Sequence, residues 1–174
     1  EIVIGDWSSD VCSSDLARIA KEKYPDAKIV FVGPCVAKRK EAQRDEAVDF
    51  VMTFEEVSSI FDAFEVNLEI VQPYAMEFSS VREAHGFAQA GGVMGAVKAF
   101  LKMEADKINA IQVSDLNKKN IGTLRAYAKS GKAPGQFIEV MACEGGCITG
   151  PSTHSGSNGK RQLVQELAKQ EKTY

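Results

Sequence analysis

Short apolar runs alternate with helical patterns along this chain, and that alternation constrains its fold more than any other feature. The runs are rich in β-branched residues and end at glycine, proline or polar residues, which is typical of buried strands. Because strands that alternate with helices usually pair in parallel, the sequence predicts an α/β fold with largely parallel sheets. The runs lie at 28–32, 48–52, 108–113 and 137–141, and a further strand is expected at 67–71.

Capping residues mark where several helices begin or end. Thr53 and Glu56 fit a capping box, in which the hydroxyl and the carboxylate satisfy free amide groups at a helix start. Gly131 is suited to end a helix in the left-handed conformation. Helical patterns are predicted up to residue 24, after Thr53, and at 90–103, 120–130 and 160–172, with a surface loop at 72–82.

Residues 1–16 do not fit the rest of the chain. They contain a repeated Ser-Ser-Asp and no strand or helix period, and they resemble the translation of a sequencing-library adapter. The alternative is a disordered tail. On the first interpretation the segment 1–16, with Trp7 and Cys12, is an artefact, and the domain occupies residues 17–174.

Charge and hydropathy exclude several classes of protein. The 21 basic residues nearly balance the 24 acidic ones, so a nucleic-acid-binding surface is not expected. The apolar runs are too short for a membrane segment. Four cysteines are too few for a disulfide scaffold of this size.

Three cysteines follow predicted strands, where open α/β folds place their ligands. Cys35 comes after the run 28–32, and Cys143 and Cys147 come after 137–141 in a glycine-rich turn. Taken by itself, a single cysteine such as Cys35 is most often a small apolar residue buried in the core. The pair four residues apart indicates an iron–sulfur site, with a zinc site or plain structural thiols as the alternatives.

Three segments together resemble the catalytic domain of the [FeFe] hydrogenases. Gly33–Ala42 reads GPCVAKRKEA and is similar to that family's second cysteine signature, Pro-Cys-x-x-Lys-x-x-Glu. The stretch EVMACEGGC at 139–147 is similar to the third signature, and FAQAGGVMGAV at 87–97 to a helix start of the family. The resemblance spans residues 17–160 and implies a partial, two-lobed fold of that type.

The resemblance also implies a cofactor and a role for each residue. The family's cofactor is a [4Fe-4S] cubane joined by one cysteine to a diiron centre with CO, cyanide and a bridging dithiolate. Cys35 and Cys143 are then cubane ligands, and Cys147 is the bridging one. Lys38 donates a hydrogen bond to a cyanide ligand; the alternative is a solvated lysine. Met141 packs beside the diiron centre; the alternative is ordinary packing in the hydrophobic core. Glu41 is expected to be a neighbouring ion-pair partner rather than a catalyst, while the remaining cofactor contacts fall on Pro34, Ala142, Gly145 and Gly146.

The implied activity is reversible oxidation of H2 to protons and electrons, with ferredoxin or another low-potential carrier and cofactor maturation proteins as partners. An oxygen-sensitive cofactor implies an anaerobic, cytoplasmic setting. Gly33, Thr149 and the missing first cysteine signature depart from the catalytic pattern. They leave open a non-catalytic relative, such as a hydrogen sensor or an iron–sulfur assembly or electron-transfer protein. His154 is either a ligand or proton relay, or a solvated loop residue.

Overall fold

The computed structural model describes residues 14–72, 81–154 and 156–169. Contacts divide the chain into two compact units. The first, here called the N-terminal unit, comprises Glu1–Pro73 and Pro151–His154. The second, the C-terminal unit, comprises Tyr74–Gly150 and Ser155–Tyr174.

The N-terminal unit is built on one β-α-β motif. Strand β1 pairs in parallel with β2, with Val30 opposite Phe50 and Gly33 opposite Thr53. The capping box at the end of β2 is present: Thr53 Oγ1 accepts from Glu56 N–H, and the Glu56 carboxylate accepts from Thr53 N–H at 2.8 Å. The elements are α1 (Ser14–Lys23), β1 (Val30–Gly33), α2 (Ala37–Ala42), β2 (Phe50–Thr53) and α3 (Phe54–Ala63).

The C-terminal unit contains a second motif of the same kind. Strands β3 and β4 are parallel, with Gln112 opposite Glu139 and Ser114 opposite Met141. The helix that connects them is capped by Asn117 at its start and by Gly131, which has a φ of 64°, at its end. The helices and strands are α4 (Arg82–His85), α5 (Gly92–Leu101), β3 (Ala110–Ser114), α6 (Lys118–Ser130), β4 (Phe137–Met141) and α7 (Gly159–Ala168), with 3-10 turns at Gly86–Ala88, Lys102–Lys107, Cys147–Thr149 and Gly156–Asn158.

The predicted α/β class with parallel strands is confirmed. The capping box and the Gly131 cap are also confirmed, and four of the predicted strands lie within three residues of their observed bounds. The strand expected at 67–71 is wrong. Asn67 instead starts a turn, because its side chain accepts from Glu69 N–H and its carbonyl accepts from Ile70 N–H. Most of the loop expected at 72–82 lies outside the described residues.

The most deeply buried apolar side chains are small. Ala17 and Val48 lie in the N-terminal unit and Ala96 lies in the C-terminal unit, each at most 6% exposed. Helix α1 begins at Ser14, inside the segment predicted to be an artefact. Among the described helices, none has the length and apolar character needed to span a bilayer.

Candidate functional site

The predicted cysteine turn begins where the parallel strands β3 and β4 end side by side. Ser114 and Met141 are the last residues of the two strands and lie opposite each other. Residues 142–150 follow directly, so Cys143 and Cys147 lie at the carboxyl edge of this sheet. This is where ligand sites of parallel sheets usually form.

Ser114 fixes the start of the turn from the neighbouring strand. Its hydroxyl donates to the Cys143 carbonyl at 3.3 Å and accepts from Gly145 N–H at 3.0 Å. One residue earlier, the Ala142 carbonyl accepts from Leu116 N–H at 3.1 Å. The backbone on both sides of Cys143 is therefore bound to the last residue of β3 and to Leu116, just after it.

Further hydrogen bonds close the turn on itself. Gly146 N–H donates to the Cys143 carbonyl at 3.0 Å, and Gly150 N–H donates to the Cys147 carbonyl at 2.9 Å. The Thr149 hydroxyl contacts the carbonyls of Glu144 and Gly146. Cys143 is half-buried and Cys147 is exposed, so the turn offers one shielded and one accessible thiol.

Gly146 is required by the packing of the chain. Its φ of 100° is disfavoured for residues with a side chain. A Cβ there would lie 2.4 Å from Ala90 N and 2.7 Å from the Ala88 carbonyl oxygen. Ala90 N–H also donates to the Gly145 carbonyl at 2.9 Å. The turn therefore lies directly against the backbone that precedes α5.

Glu139 is a residue to which the sequence analysis assigned no function. Its side chain is 4% exposed, and its carboxylate accepts from the N–H groups of Gly91 at 2.6 Å and Met94 at 2.7 Å. An acidic residue in an otherwise apolar strand, four positions before Cys143, was the available signal.

Cys35 lies in the N-terminal unit, in the short connection from β1 to α2. It is half-buried, and its carbonyl accepts from Lys38 N–H at 3.2 Å. The Pro34 carbonyl accepts from Ser152 N–H at 3.3 Å, which joins this connection to the segment Pro151–His154. His154, on the same segment, is exposed.

Glu41, which was expected to be an ion-pair partner, forms an ion pair with Lys38. Lys38 Nζ donates to Glu41 Oε2 at 2.6 Å, and the two side chains are 16% and 19% exposed. The Lys38 side chain is therefore mostly shielded from solvent. A second ion pair, Arg39 to Glu56 at 2.6 Å, joins α2 to the start of α3. The Thr53 N–H and the Arg39 guanidinium hold the pKa of Glu56 below its usual range.

The donor types fit an iron–sulfur centre, although the described residues do not form a complete ligand set. Thiolates are the ligands that such clusters use. Cys143 and Cys147 share one turn in the C-terminal unit, whereas Cys35 belongs to the N-terminal unit. Within 14–72, 81–154 and 156–169, no group of three or more His, Cys, Asp or Glu is arranged to hold a metal ion. The three-cysteine ligand set thus stays a prediction.

Comparison with known families identifies one that covers most of the chain. The sequence model of the iron only hydrogenase large subunit, C-terminal domain, matches residues 10–151. The match starts at residue 10, inside the segment 1–16 that is predicted to be an artefact.

Individual relatives are more distant. The chain is 28% identical over 188 residues to a cytosolic Fe-S cluster assembly factor, narfl, of Danio rerio, covering 82% of this chain and 46% of that protein. It is 27% identical over 150 residues to iron hydrogenase 1 of Clostridium pasteurianum, covering 83% of this chain and 23% of the other. The chain thus spans less than half of either relative.

A solved structure has a similar fold. It is described as showing stepwise [FeFe]-hydrogenase H-cluster assembly in HydA(deltaEFG). It matches with a TM-score of 0.53 and 20% sequence identity, covering 86% of this chain and 55% of that one. At this identity the likeness concerns the fold alone, and it agrees with the α/β architecture described above.

Proposed function

This chain belongs to the family of the iron only hydrogenase large subunit, C-terminal domain, and from that premise we propose that it binds an iron–sulfur cluster through Cys35, Cys143 and Cys147. The observation that carries the proposal is the turn 142–150, in which two thiols lie on a backbone that is hydrogen-bonded to other segments at Ala142, Cys143 and Gly145. Hydrogen bonds from Ser114 and from Ala90 hold this turn. A ligand loop that is ordered by the protein requires less ordering when the cluster binds.

The role we propose first is in iron–sulfur assembly or electron transfer, without rapid turnover of hydrogen. A relative named as a cytosolic Fe-S cluster assembly factor supports this role. Gly33 and Thr149, which depart from the catalytic pattern, support it too. A cytoplasmic location belongs to this proposal, since that relative is named cytosolic.

Hydrogenase activity is the second candidate, and Lys38 is the observation that favours it. Its ammonium group is held in a half-buried position by Glu41. A fixed ammonium group can donate a charge-assisted hydrogen bond to an anionic ligand such as cyanide. A diiron centre, when bound, would supply the reversible splitting of H2. A relative named iron hydrogenase 1 supports this second candidate. Met141, at the end of β4, would then pack beside that centre, with Pro34, Ala142, Gly145 and Gly146 lining the cofactor.

Both candidates share electron-transfer chemistry and differ in their partners. Ferredoxin or another low-potential carrier fits either candidate, whereas maturation proteins that deliver a diiron centre fit only the second. Cluster binding is therefore the first property to test, and hydrogen turnover is the second.

The test is anaerobic reconstitution of the full chain with ferrous iron and sulfide, with a small thiol present for any iron that lacks a cysteine. We expect visible charge-transfer absorption and bound iron and sulfide. Cys35→Ser, Cys143→Ser and Cys147→Ser should each lower the cluster content. Cys12→Ser is the matched control and should leave it unchanged.

Two outcomes would contradict the proposal. A chain that binds zinc without visible absorption would indicate the alternative of a zinc or structural-thiol protein. Equal cluster content in all four serine variants would exclude cysteine ligation by these residues. Hydrogen uptake or evolution with a low-potential dye, after supply of the diiron centre, would favour the second candidate over the first.

A further inference from the structure

Glu139 is an acidic side chain buried in the middle of a strand. It is 4% exposed and is paired with Gln112 in the β3–β4 sheet. Burying a carboxylate is costly unless its oxygens are hydrogen-bonded. Here both oxygens are used: Oε1 accepts from Gly91 N–H at 2.6 Å and Oε2 from Met94 N–H at 2.7 Å.

These two donors belong to the start of α5. Gly91 is the residue that precedes the helix, and it has no side chain with which to cap it. The first amide groups of a helix lack partners within the helix and carry partial positive charge. Glu139, from a strand 48 residues further along the chain, supplies the missing cap.

The same short stretch also supports the cysteine turn. Ala90 N–H donates to the Gly145 carbonyl at 2.9 Å, and Gly146 packs against Ala88–Ala90 without room for a Cβ. Residues 88–94 therefore contact both the strand that leads into the turn, at Glu139, and the turn itself, at Gly145 and Gly146. Glu139, which precedes Cys143 in the sequence, accepts from Gly91 and Met94. Gly145, which lies between the two cysteines, accepts from Ala90.

We propose that Glu139 is a positioning residue that fixes the Cys143–Cys147 turn against the start of α5 and so sets the cluster environment. This inference rests on the proposed cluster binding. It assigns Glu139 no contact with the cluster. The carboxylate acts through the backbone, because β4 continues directly into the turn.

A glutamine at this position isolates the effect. Glu139→Gln keeps the size of the side chain, but replaces one accepting oxygen with an amide group that faces a backbone N–H. Glu139→Asp keeps the charge but is too short to reach both donors in the same way. Gly131→Ala is the matched control, since it strains a helix end with φ of 64° in open space at the far end of α6.

The first measurement needs no cluster. The alkylation rate of each cysteine in the full apo chain is followed by mass spectrometry under native conditions. In Glu139→Gln we expect Cys143 to react about tenfold faster, because the loss of one charged hydrogen bond makes opening of the turn more frequent by about this factor. Cys35, in the other unit, is the internal control and should react at its wild-type rate, and Gly131→Ala should not change Cys143.

The second measurement uses the reconstituted chain. A chelator should remove the cluster roughly 10- to 100-fold faster from Glu139→Gln than from wild type, a range typical of losing a residue that orients metal ligands. The visible circular dichroism of the bound cluster should also change, because it reports the chirality of the ligand environment. Glu139→Asp should give values between those of wild type and Glu139→Gln. If Glu139→Gln does not fold, the comparison is made with Glu139→Asp.

Each outcome separates this inference from the proposed function. Unchanged Cys143 alkylation in Glu139→Gln overturns the positioning role, whether or not a cluster binds. Equal acceleration in Gly131→Ala would show a general loss of stability and overturns it too. If wild type binds no cluster while Cys143 alkylation responds as expected, Glu139 positions the turn and the proposed cluster function fails.

Discussion

Asp49 is a single side chain on which several donors converge. Its carboxylate accepts from Ile29 N–H at 2.9 Å and from Lys28 Nζ at 3.0 Å, and Lys21 Nζ lies 3.3 Å away. These donors lower the pKa of Asp49 from its ordinary 3.8 to about 2. The carboxylate thus joins α1 to the backbone before β1 and the start of β2.

The lowered pKa predicts a dependence of stability on pH. Because the pKa is lower in the folded chain, the contribution is complete above 3.8 and is lost as the pH falls toward about 2. Asp49→Asn should be less stable than wild type at neutral pH, and the difference should shrink in acid. Urea denaturation at several pH values measures it. A difference that stays constant down to pH of about 2 would contradict the assignment.

Lys38 is the residue through which charge would act on a bound cluster. One charge at about 5 Å, with an effective dielectric of about 20, is worth roughly 3 kcal/mol, or on the order of 0.1 V for one electron. Lys38→Ala should therefore make the midpoint potential more negative by this order, because it removes a positive charge that favours the reduced cluster and breaks the ion pair with Glu41. Lys40→Ala removes an exposed positive charge two residues on and is the control. Equal shifts in both variants would argue against a specific position of Lys38.

At the scale of elements, the start of α5 depends on a close approach between backbones. A Cβ on Gly92 would lie 1.9 Å from the Gly86 carbonyl oxygen, whereas nothing lies within 4 Å of a Cβ on Gly95. Gly92→Ala should destabilise the C-terminal unit severely. Gly95→Ala should stabilise it by about 0.5–1 kcal/mol, because alanine restricts the unfolded chain and favours a helix. Thermal denaturation of the two variants compares them within one helix, and a stable Gly92→Ala protein would contradict the packing described.

Helix α3 depends on its capping box in a similar way. Thr53 is 3% exposed and lies at the junction of β2 and α3. Thr53→Ala should lower the free energy of unfolding by about 0.5–2 kcal/mol, since Glu56 N–H loses its acceptor. Thr53→Ser retains the hydroxyl and should lose much less. Urea denaturation distinguishes them, and equal losses would mean that packing of the threonine methyl group dominates.

Across the whole molecule, one face of the β1–β2 sheet remains apolar and accessible. Val30, Val32 and Phe50 are 45%, 42% and 58% exposed and lie on the same face, since Val30 is opposite Phe50. Parallel sheets are usually covered on both faces. The N-terminal unit therefore presents a surface of the kind that binds apolar molecules.

This surface predicts binding of a hydrophobic dye and concentration-dependent association of the isolated chain. Phe50→Ser should lower both, because it removes the largest apolar side chain of the face. Met103→Ser is the control: Met103 is 94% exposed but lies outside any strand. Dye fluorescence and sedimentation measure the effects, and the expectation fails if the two variants behave alike.

The elements show how far sequence patterns reach. The strand 137–141 and the caps at Thr53 and Gly131 were predictable, because each depends on residues a few positions apart. The turn at 67–71 was not predictable in this way, because Leu68 and Ile70 suit a strand. A strand needs a partner with which to exchange hydrogen bonds, and there the backbone bonds to Asn67 instead.

The sequence by itself determined the α/β class and the cysteine turn after β4, since both follow from neighbouring residues. Only the tertiary structure decided what holds the turn. Ser114 is hydrogen-bonded to Gly145, 31 residues away in the sequence, and Glu139 is hydrogen-bonded to Gly91, 48 residues away. These hydrogen bonds form because the pairing of the strands and the burial of the carboxylate bring distant residues together. No local pattern encodes that choice, so the function of Glu139 became visible only in the folded chain.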